Sequence, residues 1–278
     1  LVAKELKILQ LPVAGYNQIN LDRAKKNGLP VANNAGANAV SVAEHFFLMV
    51  LALYRHIFHH QQTVLDGSWV NLKHYNTEMF GKTVGIVGLG NVGREVAKRC
   101  LAFGMKVLYN DIRDGLDSFD RVEGAESRPL DSLLPESDIV TFHVPLTIKT
   151  KNIIDQKLIS KMKTGAILVN LARGDIQDEE AIMQALKENK LSGIALDVFD
   201  EEPPNKDNVL LHYGRPKNET WNVLGFDRQV GDVKAIFSPH AGPSKETRIR
   251  VLEHVVANLR RVYSGDKPKA QVVDYTKI

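Results

Sequence analysis

An arginine, a glutamate and a histidine that lie far apart in the sequence are the residues best suited to do chemistry. His240 follows a serine–proline pair after an apolar run, and a histidine can take or return a proton near neutral pH. Glu202 offers a carboxylate that can orient an imidazole and stabilise its charged form. Arg173 stands beside a glycine after another apolar run, where its planar fork suits bidentate binding of a carboxylate. Each alone is more often structural, so the prediction of proton transfer beside a bound acid requires that they meet in space.

A glycine-rich turn with the spacing of a phosphate-binding loop lies earlier in the chain. An apolar run over residues 83–87 leads into Gly88, Gly90 and Gly93, and a helix-like run follows. The first glycine permits a tight turn, the second lets backbone N–H groups approach a pyrophosphate, and the third lets the helix pack close to its strand. The helix N-terminus then favours phosphate. This order predicts a dinucleotide-binding βαβ unit.

The acid that completes this unit is Asp111, at the end of the second apolar run. It is placed to accept hydrogen bonds from the ribose hydroxyls of an adenosine. A carboxylate there favours NAD over NADP because it repels a 2′-phosphate. Arg113 is close enough to leave the strictness of that preference open.

The elements that must position these residues alternate between strands and helices. This alternation predicts an α/β fold with a doubly wound, parallel, Rossmann-like sheet, in which ligands bind at the carboxyl ends of the strands. After Asp111 we expect helices over 131–134, 157–162, 179–188 and 245–263, and strands over 138–144, 166–171, 193–196 and 235–237. The ends of the predicted strands carry Asp111, Pro145, Arg173, Asp197 and His240.

Two parts of the chain follow this alternation of strands and helices less well. Residues 6–10, 21–26 and 30–33 predict a strand, a helix and a strand, a unit too small to close a core by itself. A long helix is expected from Ser41 to about Tyr54. The segment Pro203–Val233 reads as a long loop and receives no assignment.

Composition excludes several classes of function. The 278 residues carry 36 basic and 33 acidic side chains, a net charge of +3 that does not indicate nucleic-acid or membrane-surface binding. No apolar run approaches the roughly 18 residues of a membrane span. The single cysteine, Cys100, is expected in the core and suits a reducing, cytoplasmic setting. No Cys/His cluster has metal-ligand spacing, so we expect no metal.

Several motifs carry a resemblance to a known family. Beside the glycine turn they are residues 36–45 (GANAVSVAEH), 143–147 (HVPLT), 170–174 (NLARG), 196–203 (LDVFDEEP) and 238–242 (SPHAG). With these motifs the chain resembles the D-isomer-specific 2-hydroxyacid dehydrogenase family over nearly its whole length. The resemblance implies an NAD-dependent oxidoreductase that interconverts a D-2-hydroxy acid and its 2-keto acid by hydride transfer.

The resemblance also implies roles for particular residues. Arg173 binds the substrate carboxylate and carbonyl, His240 is the general acid/base, and Glu202 is the partner of His240. Backbone N–H groups at Ala14 and Gly15 hold the substrate carboxylate. Further contacts to the cofactor are expected from Val42, Asn91, Val92, Pro145, Thr150, Ala172 and Asp197, with Asp197 orienting either the nicotinamide amide or the catalytic pair.

The architecture that the resemblance implies has two domains. Residues 42–241 form the dinucleotide-binding domain, and residues 1–41 plus 242–278 form a smaller, flavodoxin-like α/β substrate domain. Family members usually begin with a further strand–helix region before the equivalent of Leu6, so we expect this second domain to be N-terminally incomplete. The resemblance also implies a homodimer through the helical region after His45.

Departures from the family pattern leave alternatives open. Asn17 and Asn20 replace common aspartates, and the Pro203–Val233 segment lengthens the separation of Glu202 from His240. Formate and phosphite dehydrogenases of the same superfamily are disfavoured, because they usually have glutamine at the Glu202 position or lysine at the Ala14 position. A non-catalytic, NAD-sensing corepressor and an inactive fragment remain as alternatives. The sequence does not identify the acid.

Overall fold

The structure is a computed structural model that describes residues 5–16, 18–67, 69, 76–113, 121–213, 234–270 and 272. Two features singled out from the sequence, Asn17 and residues 214–233 of the unassigned segment, lie outside the described residues.

The chain begins with the small strand–helix–strand unit that the sequence predicts. Its elements are β1 (Leu9–Gln10), α1 (Leu21–Lys26) and β2 (Val31–Ala32), and the two strands pair in parallel. Asn20 caps α1 by accepting the N–H of Arg23 at 2.9 Å, so the asparagine serves the helix as the usual aspartate would. The strands are shorter than predicted because they have ladder partners only over these two residues each.

Two helices follow, α2 (Ala39–Tyr54) and α3 (Ile57–Leu65). Most of α2 is buried, with Phe46, Met49 and Val50 almost wholly enclosed. No single helix in the described part of the chain is long and apolar enough to cross a membrane, and α2 and α3 reach that length and composition only together, across a bend of 61°.

A seven-stranded parallel sheet forms the main body of the molecule. Its strands are β3 (Thr83–Val87), β4 (Lys106–Asn110), β5 (Ala125–Ser127), β6 (Ile139–Phe142), β7 (Ala166–Asn170), β8 (Leu191–Leu196) and β9 (Ala235–Phe237). Their order is β5-β4-β3-β6-β7-β8-β9, so the chain runs outward from β3 and then returns to β6 beside it. The predicted doubly wound, Rossmann-like sheet is confirmed. The switch point lies between β3 and β6, where such sheets bind ligands.

Helices cover both faces of this sheet. Besides α2 they are α4 (Asn91–Ala102), α5 (Leu130–Glu136), α6 (Gln156–Lys161), α7 (Glu179–Lys187) and α8 (Val209–Tyr213). The last helix, α9 (Lys245–Tyr263), packs against β1 of the N-terminal unit instead. Alternate residues of a strand point to opposite faces, so Ile167 and Val169 join the cluster under α2 and α4, while Leu168 joins the cluster under α5–α7. Cys100 is fully buried in the first cluster, and burial raises the pKa of its thiol.

Among the described residues, the sequence-based assignment missed three elements. The edge strand β5 is mostly exposed and polar, so it has no apolar run to reveal it. A 3₁₀ turn, Gly174–Ile176, follows β7, and α8 lies inside the segment that had received no assignment.

The C-terminal part returns to the N-terminal unit. Asn258 of α9 donates to the side-chain oxygen of Gln10 at 2.7 Å and to the carbonyl of Lys269 at 3.0 Å. The N–H of Val272 then bonds the carbonyl of Val31 at 2.8 Å. These contacts join the two ends of the chain, while the domain boundaries at 41/42 and 241/242 stay a prediction.

Candidate active site

Glycine is required at two positions of the turn after β3 because neighbouring backbone leaves no room for a side chain. Gly88 has φ +96°, and a Cβ there would lie 2.8 Å from the carbonyl oxygen of His143. A Cβ at Gly93 would lie 2.2 Å from the carbonyl oxygen of Gly88. The glycine turn is therefore closely packed against the start of α4 and against the residue that follows β6.

Gly90 is different, because a Cβ there would meet no atom of the described residues within 4 Å. It is the N-cap of α4, where no side chain caps the helix and no acid lies in the first turn. The space beside Gly90 therefore borders an uncapped helix N-terminus, which attracts phosphate through its N–H groups and dipole. These features fit the pyrophosphate of a dinucleotide.

Asp111 lies directly after β4 with its carboxylate facing this turn. It accepts the N–H of Leu89 at 2.8 Å and holds Arg113 bidentately, with Nε 2.9 Å from Oδ1 and Nη2 3.0 Å from Oδ2. Burial alone would raise the pKa of Asp111, but hydrogen bonds from Arg113 and Leu89 outweigh it and hold the pKa below its usual value. Asp111 is thus an ionised, well-held acceptor beside the turn.

Arg173 lies on a turn that Asn170, the last residue of β7, holds in place. The buried amide of Asn170 donates to the carbonyl of Arg173 at 2.8 Å and accepts the N–H of Ala172 at 3.0 Å. A Cβ at Gly174 would lie 1.8 Å from the carbonyl oxygen of Phe199, so this turn packs directly on the backbone that leads to Glu202.

The guanidinium of Arg173 lies against the predicted substrate loop. A Cβ at Gly15 would lie 2.3 Å from Nη2 of Arg173. The loop is anchored by Asn33, whose amide donates to the carbonyl of Ala14 at 2.6 Å. Burial lowers the pKa of Arg173, and the nearby carboxylate of Glu202 partly offsets that effect. The structure therefore brings together Gly15, Arg173 and Glu202.

Glu202 and His240 meet across 38 positions of sequence. Nδ1 of His240 lies 3.2 Å from Oε2 of Glu202, and the N–H of Phe199 donates to Oε1 of Glu202 at 3.3 Å. The two side chains are 47% and 43% exposed, so the pair is open to solvent. The predicted partnership of Glu202 with His240 is present as a contact.

Asp197 lies beneath the turn that carries His240. Its carboxylate is buried and accepts the Ser238 hydroxyl at 2.6 Å and the N–H groups of Ala241 and Gly242 at 2.7 and 3.1 Å. His45 of α2 lies 3.3 Å away. Burial would raise the pKa of Asp197, but hydrogen bonds from His45 and Ser238 outweigh it and lower the pKa. Its predicted contact with the nicotinamide amide stays a prediction.

The remaining predicted cofactor residues lie on α2, on α4 and on the turns after β6 and β7. The Thr150 hydroxyl donates to the carbonyl of Pro145 at 2.6 Å and closes the turn after β6. Asn91 accepts from Arg94 at 2.8 Å, Val42 is buried against Gly242, and Val92 and Ala172 are half-buried. Their contacts with a cofactor stay predictions.

Sequence reasoning missed the residues that support the site from behind. These are Asn33, Asn170, and the pair His45 and Ser238, all of which bind neighbouring polar groups. The signal was present, because each is a polar residue within or next to an apolar element, and buried polar groups need hydrogen-bond partners.

A glycine turn at the switch point of a doubly wound sheet, with a histidine–carboxylate pair and an arginine at neighbouring strand ends, is typical of a dinucleotide-binding fold with groups suited to proton transfer. Comparison with known proteins gives the family. Residues 47–218 match the family model "D-isomer specific 2-hydroxyacid dehydrogenase, NAD binding domain". The chain belongs to this family, and the predicted resemblance and NAD-binding domain are confirmed.

Its relatives include a hydroxypyruvate reductase of Thermotoga maritima, 42% identical over 236 residues that cover 81% of this chain and 76% of that protein. A D-3-phosphoglycerate dehydrogenase of Archaeoglobus fulgidus is 42% identical over 209 residues, which cover 75% of this chain but only 40% of the relative. Among solved structures, a glyoxylate reductase from Paecilomyes thermophila superposes with a TM-score of 0.82 at 30% identity, covering 97% of this chain and 76% of that one.

Proposed function

We propose that this protein is an NAD-dependent dehydrogenase that interconverts a D-2-hydroxy acid and its 2-keto acid. The observation that carries the proposal is the meeting of Arg173, Glu202 and His240 at the edge of the sheet that also carries the glycine turn. Family membership supports the same reaction class, and the open space at Gly90 supports a bound dinucleotide.

His240 is the proton-transfer residue of this proposal. Its Nδ1 is paired with Glu202, so Nε2 is the atom left to give a proton to the keto oxygen in reduction or to take the hydroxyl proton in oxidation. When bound, NAD supplies or accepts the hydride. The exposure of the imidazole lets it exchange protons with solvent between turnovers.

Arg173 and the loop around Gly15 form the carboxylate-binding side of the site. The guanidinium cannot lose its proton under working conditions, and its fork matches a carboxylate. The Glu202 carboxylate interacts both with the Arg173 guanidinium and with the His240 imidazole. The site therefore has a permanent cation for the acid and a separate group for the proton.

A panel of 2-keto acids, assayed with NADH, tests the proposal. We expect turnover with at least one acid, and His240→Asn should reduce kcat by about 100-fold or more while leaving the affinity for NADH unchanged. His254→Asn is the matched control, because His254 is exposed on α9 away from this cluster. Binding of NADH with no turnover of any acid would refute the enzyme and favour an NAD-sensing binding protein.

We further propose a homodimer that uses α2 and α3. Leu48, Ile57, Val64 and Leu65 are between 49% and 62% exposed, an apolar surface of the kind that marks interfaces. Light scattering should give the mass of a dimer, and Leu48→Glu should give a monomer. Leu252→Glu, at a residue of similar exposure on α9, is the control and should leave the mass unchanged.

We also propose a cytoplasmic location. A buried thiol without a disulfide partner, as at Cys100, suits a reducing compartment. Cell fractionation tests this, and recovery in an oxidising compartment would contradict it.

A further inference from the structure

Helix α2 braces the turn that carries His240. Ser41 and His45 lie on one face of α2 at the spacing i, i+4, and Val42 is the residue next to Ser41. The Ser41 hydroxyl donates to the carbonyl of Gly242, and a Cβ at Gly242 would lie 3.1 Å from Cγ2 of Val42. His45 reaches furthest under the turn, with Nε2 2.9 Å from the hydroxyl of Ser238.

Counting donors and acceptors gives the direction of each bond. The ionised Asp197 carboxylate can only accept, so the single proton of the Ser238 hydroxyl goes to it, across 2.6 Å. The Ser238 oxygen must therefore accept from His45 at 2.9 Å, which assigns the proton to Nε2 of His45. The same N–H also faces Oδ1 of Asp197 at 3.3 Å.

Asp197 connects the hydrogen bonds of His45 and Ser238 to the backbone around His240. Its two carboxylate oxygens hold the N–H groups of Ala241 and Gly242, and its carbonyl holds the N–H of His240 at 2.9 Å. His240 needs this support because it has φ +54°, a left-handed conformation that costs energy for a residue with a Cβ. Its contact with Glu202 is exposed and 3.2 Å long, so that contact alone fixes the imidazole weakly.

We propose that His45 is a positioning residue for His240, acting through Ser238 and Asp197. The inference rests on the proposed function of His240, but its geometry does not depend on turnover. His45 is only 11% exposed, and its bonds go to the underside of the turn. Without the N–H of His45, the Ser238 oxygen loses a hydrogen bond. The Asp197 carboxylate, which holds the turn, is then less firmly fixed.

Two substitutions of similar size separate the donor from the bulk of the side chain. His45→Leu fills the space without a donor, whereas the amide of His45→Gln can again donate to Ser238. We expect His45→Leu to lower kcat by about 10- to 100-fold, as a displaced catalytic group does. His45→Gln should restore most of kcat. The Kd of NADH should change less than kcat in both, because the glycine turn is not involved.

A double substitution tests whether the effect passes through His240. Adding His45→Leu to His240→Asn should cause no further loss of the residual rate, since the group to be positioned is already absent. A loss as large as in the parent protein would show a general structural role and overturn the proposal. Failure of His45→Gln to recover kcat would also overturn it.

A readout independent of turnover separates this inference from the proposed function. The side-chain NMR signal of His240, assigned by its loss in His240→Asn, should shift in His45→Leu and return towards its original position in His45→Gln. Absence of turnover together with this pattern would refute the dehydrogenase and retain the positioning role. An unchanged His240 signal in His45→Leu would refute the positioning role whatever the activity.

Discussion

The glycine turn and the catalytic cluster lie at the same edge of one sheet but are built in different ways. The turn takes its residues from Gly88–Gly93, and its shape depends on contacts between backbone atoms, such as the approach of Gly93 to the carbonyl of Gly88. The cluster takes Arg173, Glu202 and His240 from separate strand ends, and side-chain hydrogen bonds from other elements hold it.

This difference predicts different responses to substitution. A site made from close backbone contacts leaves no room for an added carbon atom, so its weak points are glycines. A site made from polar side chains tolerates changes in volume but requires each donor and acceptor to be matched. The first kind of damage should appear in stability and cofactor affinity, and the second in catalytic rate.

Of the substitutions that compare the two sites, those at and beside Arg173 should have the largest effect. Arg173→Gln should lower kcat/KM for the keto acid by about 100-fold, because a charged pair with the substrate carboxylate is lost.

Gly15→Ala should lower kcat/KM by about tenfold, since its Cβ would lie 2.3 Å from Nη2 of Arg173 and displace the guanidinium. Steady-state kinetics with titration of NADH checks both. Full activity in Gly15→Ala would contradict the packing of Arg173 against this loop.

Two glycines of one turn offer a matched comparison. Gly93→Ala should lower the free energy of unfolding by about 1–3 kcal/mol through overpacking against Gly88. Gly90→Ala should leave stability within about 0.5 kcal/mol, because its Cβ meets no described residue, yet raise the Kd of NADH about tenfold. Denaturant titration and calorimetric binding measure the two quantities. Equal affinities in wild type and Gly90→Ala would show that the space is not the phosphate cradle.

A smaller effect is expected on the choice of cofactor. Asp111→Ala should reduce the preference for NAD over NADP by about tenfold, because the carboxylate that repels a 2′-phosphate is removed and Arg113 loses its contacts with that carboxylate. Kinetics with NADH and NADPH measure the ratio. Asp131→Ala, at an exposed acid distant from the turn, should leave it unchanged. An unchanged ratio in Asp111→Ala would refute the role of Asp111.

The last effect concerns stability against acid. Burial lowers the pKa of His143, whose carbonyl lies against Gly88, to about 4 from 6.5. Between these values the unfolded chain binds the proton and the folded chain does not, so stability falls as pH drops from 6.5 towards 4. The loss is at most about 1.4 kcal/mol per pH unit. Urea titrations should show a flatter dependence of stability on pH in His143→Gln, and an identical slope would contradict the neutral, half-buried imidazole.

Much of the main sheet could be predicted because its signal is local. β3 and β9 have the predicted boundaries, since buried parallel strands read as short apolar runs between turns. The edge strand β5 and the short α8 could not be found in this way. β5 is polar and exposed, and it is a strand only because β4 offers it a hydrogen-bonding edge.

The amino-acid sequence by itself determined the sheet and its glycine turn, because apolar periodicity and the absence of a Cβ act over a few neighbouring residues. It also determined which residue types stand at the strand ends. Only the tertiary structure decided that Gly15 lies against Arg173, that Glu202 meets His240, and that His45 lies beneath the catalytic turn. These contacts join residues that are 38 to about 190 positions apart, and only the packing of separate elements brings such residues within hydrogen-bond distance.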